Sequence, residues 1–157
     1  MKKKSLTVCL WFDDQAEEAA VFYTSIFRNS KLGSISRYGE EGFEIHHKKA
    51  GTVMTVNFSL DGQEFSALNG GDLFRFNESV SFQVFCNNQE EIDHYWKKLT
   101  EGGSEGQCGW LKDKFGISWQ IIPSILSELM SDPVRSERVT KAFLQMKKFN
   151  IMELTKA

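Results

Sequence analysis

The side chains of this chain that could act together on another molecule are neutral hydroxyls and carboxamides. If Thr52 to Leu60 is a strand, its side chains alternate between two faces. Met54, Val56, Phe58 and Leu60 then pack on a helix, while Thr55, Asn57 and Ser59 point the other way. The same division of Val80 to Cys86 sets Ser81, Gln83 and Phe85 opposite the packed face, and across Gly116 to Ile122 it sets Ser118 and Gln120 there. Thr7, Cys9 and Trp11 fall opposite Val8, Leu10 and Phe12. A ligand-binding set follows: Thr55, Asn57, Asn69, Ser81, Gln83 and Gln120, framed by Trp11, Phe85 and Trp110. Such groups suit a small polar molecule, neutral or anionic, because they donate to a carbonyl or carboxylate without deep burial of a charge. Two curved sheets with polar inner faces and aromatic rims would enclose a pocket of this kind. The plainer alternative is that these are the solvated faces of half-exposed antiparallel strands.

The ionisable and nucleophilic residues each have a simpler structural reading. His46 and His47 are adjacent on a strand or loop, so their side chains diverge, and Glu44 with His46 is the only same-face pair. Two ligands fall short of the clusters that hold a metal. His94 sits on the side of its helix away from the apolar stripe, which reads as solvent exposure. Cys108 has no histidine beside it in sequence and reads as a small residue in a tight strand turn. Asp113 shapes the turn Asp113-Lys-Phe-Gly116 more simply than it acts as a base. Asp13, Asp14, Asn87 and Asn88 are helix caps.

The elements that must position these residues come in two copies. Leu10-Trp-Phe-Asp-Asp-Gln-Ala-Glu-Glu-Ala-Ala-Val-Phe-Tyr23 and Val84-Phe-Cys-Asn-Asn-Gln-Glu-Glu-Ile-Asp-His-Tyr-Trp96 share one pattern. An apolar strand ends in two Asx residues and Gln, then two glutamates open a helix that carries an aromatic pair. Asp14 with Glu17 forms a capping-box signature for a helix over about 15–28, with Ala16, Ala19, Ala20, Tyr23, Ile26 and Phe27 as its buried stripe. Strands follow at 34–38, 52–60 and 64–69, with Asp61-Gly62 as a hairpin turn. The second copy gives a strand at 80–86, a helix over 89–101 with Ile92, Tyr95, Trp96 and Leu99 on one face, and strands at 106–112 and 116–122. No pattern marks an eighth strand. Beyond Pro123 the periodicity is helical, with a break at Asp132-Pro133. The expectation is one domain over 1–157: a first module at about 5–72, a second at about 78–123, and a helical tail at 124–157.

Bulk properties narrow the partners. The chain has 157 residues and a formal charge of −2, so it has no basic field for a phosphate backbone and nucleic acid is not expected. No apolar run reaches the roughly 18 residues of a membrane span. Met-Lys-Lys-Lys-Ser could open a signal peptide, but the apolar run after it is short and meets Asp13 and Asp14 at once. Cys9, Cys86 and Cys108 are odd in number, scattered and free of metal-ligand spacing, which fits reduced thiols. A soluble cytoplasmic protein is expected.

The repeat resembles the vicinal oxygen chelate, or glyoxalase/bleomycin-resistance, superfamily. That resemblance implies an α+β fold of two βαβββ modules forming a cupped barrel. Phe65-Ser-Ala-Leu-Asn-Gly-Gly71, Ser81-Phe82, Glu91-Ile-Asp93 with Tyr95-Trp96, Cys108-Gly-Trp-Leu-Lys-Asp113 and Phe115-Gly-Ile-Ser-Trp-Gln-Ile-Ile-Pro123 resemble its PhnB-like branch, which often carries the label demethylubiquinone methyltransferase. Metalloenzymes of the superfamily place histidine or glutamate ligands on the inner faces of the first and last strands of each module. Here those positions fall near Thr7, Thr55, Ser81 and Gln120, which bind divalent metals weakly next to imidazole and carboxylate. No metal and no cofactor are therefore expected. The methyltransferase label implies a glycine-rich strand-to-helix turn for an adenosyl donor, and Gly70-Gly71 leads instead to Asp72-Leu-Phe-Arg-Phe76, which has no helical period. The resemblance also implies a homodimer. Two alternatives stand beside a metal-independent binder or enzyme: a divalent-metal lyase, isomerase or dioxygenase, and an interaction module dimerised through Phe143, Met146 and Phe149.

Overall fold

A computed structural model describes residues 6–157, so the basic opening Met1 to Ser5 lies outside the described residues. The chain divides into two compact units, Met1–Arg75 and Phe76–Ala157. The first contains β1 (Val8–Phe12), α1 (Ala16–Ile26), β2 (Lys31–Arg37), α2 (Phe43–His46), β3 (Val53–Leu60) and β4 (Gln63–Asn69). The second contains β5 (Ser81–Cys86), α3 (Gln89–Thr100), β6 (Ser104–Glu105), β7 (Trp110–Lys112) and β8 (Ser118–Pro123). The tail adds α4 (Leu126–Leu129), α5 (Pro133–Phe143) and α6 (Ile151–Lys156) to the second unit.

The duplication read from the strand-to-helix pattern is present in the pairing. The first sheet runs β1-β4-β3-β2 and the second β5-β8-β7-β6. In each, the first strand pairs parallel to the last and the remaining neighbours are antiparallel. Alternation then fixes the packed faces. In the first unit Leu10, Phe12, Val56, Phe58, Leu60, Phe65 and Ala67 are buried with the α1 stripe, Ala16, Ala19, Ala20, Tyr23, Ile26 and Phe27. In the second, Ile92, Trp96 and Leu99 of α3 are buried, as are Leu111, Trp119 and Ile121 of the sheet. Asp61 and Gly62, at φ 46° and 77°, close the two-residue β3–β4 hairpin in the conformation that matches strand twist.

Several expectations need correction. The eighth strand is β6, two residues long and too short for periodicity to reveal, and it pairs with β7. Residues 106–109 are not strand: Cys108 and Gly109 turn at φ 55° and 80°. A Cβ on Gly109 would meet the Phe149 ring at 2.5 Å, so this position is closed to larger residues. Asp14 does not cap α1. The capping position is Gln15, which supplies no side-chain bond; Asn69, at the end of β4, instead accepts the Ala16 amide through Oδ1 at 2.8 Å. His46 lies in the single helical turn α2 rather than a strand, so alternation does not govern the histidine pair. Helix α6 falls within the helical tail expected over 124–157, and Asn150 caps it by accepting the Glu153 amide at 3.2 Å.

Candidate functional site: the polar faces of the two sheets

The sheet face turned away from α3 carries three of the expected residues in one chain of hydrogen bonds. Register places Gln83 beside Gln120 and Gln120 beside Trp110, with Ser81, Ser118 and Lys112 forming the next row. Gln120 donates through Nε2 to Ser81 Oγ at 2.8 Å and accepts from Gln83 Nε2 at 3.4 Å through Oε1. Gln83 is exposed, Ser81, Trp110 and Gln120 are half-buried, and Phe85 stands 61% exposed on the same face. The arrangement is a ladder of neutral donors and acceptors beside an indole. It can hold polar oxygens and amides, and it contains no strong base.

The corresponding face of the first sheet is polar but more self-satisfied. One row reads Ser36, Thr55, Leu68 and Trp11, and the next contains Asn57, Ser66 and Cys9. Thr55 Oγ1 and Ser36 Oγ are 2.5 Å apart, and Asn57 Nδ2 donates to Ser34 Oγ at 2.8 Å. Asn57 can reach Ser34 because the strands come very close at Gly33, where a Cβ would lie 2.8 Å from the Asn57 carbonyl oxygen. Trp11 lies on the expected face, but its indole N–H donates to the Gly71 carbonyl at 2.8 Å and its ring meets Phe74 edge-on at 5.0 Å. A Cβ at Gly70 would fall 2.2 Å from the same ring, so Trp11 clamps the loop after β4.

Asn69 differs from the other expected pocket groups. It alternates with Leu68 onto the α1 face and is 6% exposed. Oδ1 is taken by Ala16, Nδ2 donates to the Val53 carbonyl at 3.1 Å, and its own carbonyl accepts the Tyr38 hydroxyl at 2.6 Å. Its role is to join β4, β3 and α1. Nearby, a cavity of about 380 Å³ lies beside the start of α1, lined by Asp14, Glu17, His47, Lys48, Lys49 and Asn69. Sequence reasoning missed this concavity because its lining comes from a helix start and a loop without periodicity.

The candidate nucleophiles and ligands are otherwise engaged. Cys86 is buried, and desolvation, reinforced by the Glu91 charge, pushes its thiol up to about 12, which removes it as a nucleophile near neutrality. Cys108 Sγ lies 3.6 Å from the Phe143 carbonyl in its left-handed turn. Both ring nitrogens of His46 are in hydrogen bonds, to the Glu41 carbonyl at 3.1 Å and from the Lys48 amide at 2.9 Å. His94 is exposed. Asp113 is 3% exposed; Oδ1 accepts the Phe115 and Ile117 amides at 2.9 and 3.0 Å, and Oδ2 accepts the Trp119 indole at 2.8 Å. It therefore organises the turn between β7 and β8. Among the described residues no group of three or more His, Cys, Asp or Glu side chains is gathered to hold a metal ion. The donors at the positions implied for one do not fit it: Thr7 is exposed, Thr55 is bonded to Ser36, and Ser81 to Gln120, all neutral.

Duplicated βαβββ units of this pairing define the glyoxalase-like class of α+β proteins. Within it, the chain belongs to the 3-demethylubiquinone-9 3-methyltransferase family, whose model matches residues 4–122. The PhnB protein from Bacillus cereus shares 39% identity over 76% of this chain and 99% of its own, with a TM-score of 0.68. A Pseudomonas aeruginosa protein aligns at 16% identity over 77% of this chain and 98% of its own, TM-score 0.61. The genomically encoded fosfomycin resistance protein FosX from Listeria monocytogenes aligns at 18% identity over 84% of this chain and 100% of its own, TM-score 0.53. These last two likenesses concern the fold alone. No curated protein matches the chain. No helix among the described residues is long and apolar enough to cross a membrane.

Proposed function

We propose that this PhnB-like protein binds a small polar molecule, neutral or anionic, without a metal ion, in a cytoplasmic homodimer. The observation that carries the reading is the Ser81–Gln120–Gln83 ladder in register with Trp110, a preset row of neutral donors and acceptors beside an aromatic wall. A carboxamide chain of this kind fixes the orientation of a ligand's oxygen or amide and supplies no proton-transfer group. The family's methyltransferase name finds little support in the residues. Both strand-to-helix turns, Asp13-Asp14-Gln15 and Asn87-Asn88, lack the glycines that would let a backbone cradle an adenosyl donor.

The competing reading is a divalent-metal enzyme. A FosX variant of the same fold, 17% identical, is complexed with Mn(II) and a dihydroxypropylphosphonic acid. The two readings separate by thermal shift against a panel of polar metabolites, first with chelator present and then with divalent metal restored in excess of it. A stabilising metabolite whose shift persists in chelator and is lost in Gln120→Ala supports direct binding. A shift that appears only when divalent metal is restored overturns it. Mass in solution near twice the 18.0 kDa chain tests the homodimer. Phe149 is 2% exposed and Phe143 meets it edge-on at 6.2 Å, so these two rings pack against each other within the second unit.

A further inference from the structure

One buried side-chain oxygen among the described residues has no hydrogen-bond partner: Ser118 Oγ, on a residue 2% exposed. A hydroxyl shut away from water without a partner loses the hydrogen bonds that water gave it, so its surroundings call for explanation. Ser118 lies in the row beside the Gln83–Gln120–Trp110 ladder, in register with Lys112, and lines a cavity of about 150 Å³. That space is several times the roughly 30 Å³ share of one water, so a single water does not fill it.

The charges around the cavity decide what it accepts. Its other polar walls are Ser104, Glu105, Glu78 and Lys112, with Trp110 at the side. Glu105 is already engaged, accepting the Trp96 indole at 2.8 Å and facing Lys147 Nζ at 3.6 Å. Lys112 Nζ carries three N–H donors and bonds the Glu78 carboxylate, which is exposed and lies in a segment between elements. The surplus is therefore in donors, an ammonium and a hydroxyl, and the missing partner is an acceptor with two oxygens and one negative charge.

We propose that this cavity is the anchoring subsite for a carboxylate of the bound molecule, held by Lys112 Nζ and Ser118 Oγ, with Glu78 as the internal carboxylate that the ligand displaces. The proposal deepens the metal-independent reading and rests on it for the rest of the ligand, which would extend along the Gln120 ladder. The exchange is neutral in charge, one carboxylate for another on the same ammonium, and it gives Ser118 the acceptor it lacks.

The test is a titration of the full chain with acetate, propionate and butyrate, and with the matching amides, read by NMR at the Trp110 indole N–H. The carboxylates shift this signal saturably and the amides do not. Lys112→Met and Ser118→Ala weaken carboxylate binding by about tenfold or more, the range for a charge-assisted hydrogen bond. Glu78→Gln removes the competitor and tightens binding severalfold, a gain that misfolding cannot produce. An unmoved Trp110 signal, equal responses to acids and amides, or a Glu78→Gln variant that binds no better would overturn the subsite. Failure of the broader reading looks different. If the stabilising metabolite found by thermal shift is indifferent to Gln120→Ala, while short carboxylates still move Trp110, the ladder is wrong and the subsite stands. If that metabolite's shift depends on Gln120 but not on Lys112 or Ser118, the subsite is wrong and the ladder stands.

Discussion

Asp113 shows how a residue with catalytic chemistry is consumed by structure. Its two oxygens terminate three N–H donors inside the second unit, and Gly116 returns an amide to its carbonyl at 3.0 Å, so the carboxylate is the hub of the β7–β8 turn. Replacing it by alanine strands the Trp119 indole and two backbone amides in a buried place. Asp113→Ala is expected to cost about 3 kcal/mol or more, since each abandoned buried donor carries a penalty of order 1–3 kcal/mol. Urea denaturation checks this, and a midpoint within error of the parent would refute the role. The turn was legible in the sequence from Asp and Gly three residues apart. The indole partner was not, because Trp119 is six residues away and reaches Asp113 only through the hairpin.

At the scale of elements, alternation worked wherever strands were long. The faces assigned to β3, β5 and β8 from period two are the faces observed, including the co-facing Ser81, Gln83 and Gln120. It failed at strand ends and in short pieces. Asn69 is the last residue of β4, and its side chain falls on the α1 face, where it caps the helix from across the sheet. A capping partner 53 residues away leaves no local signature. Asn69→Ala is expected to destabilise the first unit by about 1–2 kcal/mol, the range for a lost helix cap. The loss should appear as faster amide exchange at Ala16 and in the first turn of α1; unchanged exchange there would count against the cap. The tail is joined to α3 by a second long-range device. Gln89 Nε2 donates to the Phe149 carbonyl at 3.0 Å, Gln89 Oε1 accepts the Ile151 amide at 2.9 Å, and Lys148 Nζ lies 2.6 Å from Asp93. Hydrogen bonds from Lys148 first, and then Gln89, hold the Asp93 carboxyl below its usual range. A lowered folded value means that the contribution is complete above the unfolded pKa, about 3.9, and is lost as pH falls through the folded one. In a pH titration followed by NMR, the Asp93 midpoint should therefore rise when Lys148 is replaced by methionine, with faster amide exchange at Phe149 to Ile151 in that variant. An Asp93 midpoint unmoved by Lys148→Met would remove the electrostatic part of this latch.

Across the whole molecule, the duplication was visible because both copies repeat one strand-to-helix signature, whereas the tail's contribution was not. The family match ends at residue 122 and α4 to α6 lie beyond it, yet they complete the core of the second unit. Leu129, Val139, Phe149 and Leu154 are all buried. Cys108 and Gly109 donate their amides to the Met146 and Lys147 carbonyls at 2.7 Å, so the tail also supplies acceptors to the turn before β7. Phe149 seats on Gly109, where no side chain could stand. Removing a buried phenylalanine side chain costs about 3–5 kcal/mol, and removing a buried leucine about 2–5 kcal/mol. Against a total stability of roughly 5–15 kcal/mol for a folded domain, loss of both with their backbone bonds takes most of what is available. A chain ended after Gln145 should therefore lose cooperative unfolding of the second unit, and Phe149→Ala should retain it at a lowered denaturant midpoint. Urea titrations of both variants, followed by tryptophan fluorescence and by amide exchange over β5 and β8, make the comparison. If the truncated chain unfolds at the parent midpoint with β5 and β8 still protected, the tail is an appendage rather than a part of the core.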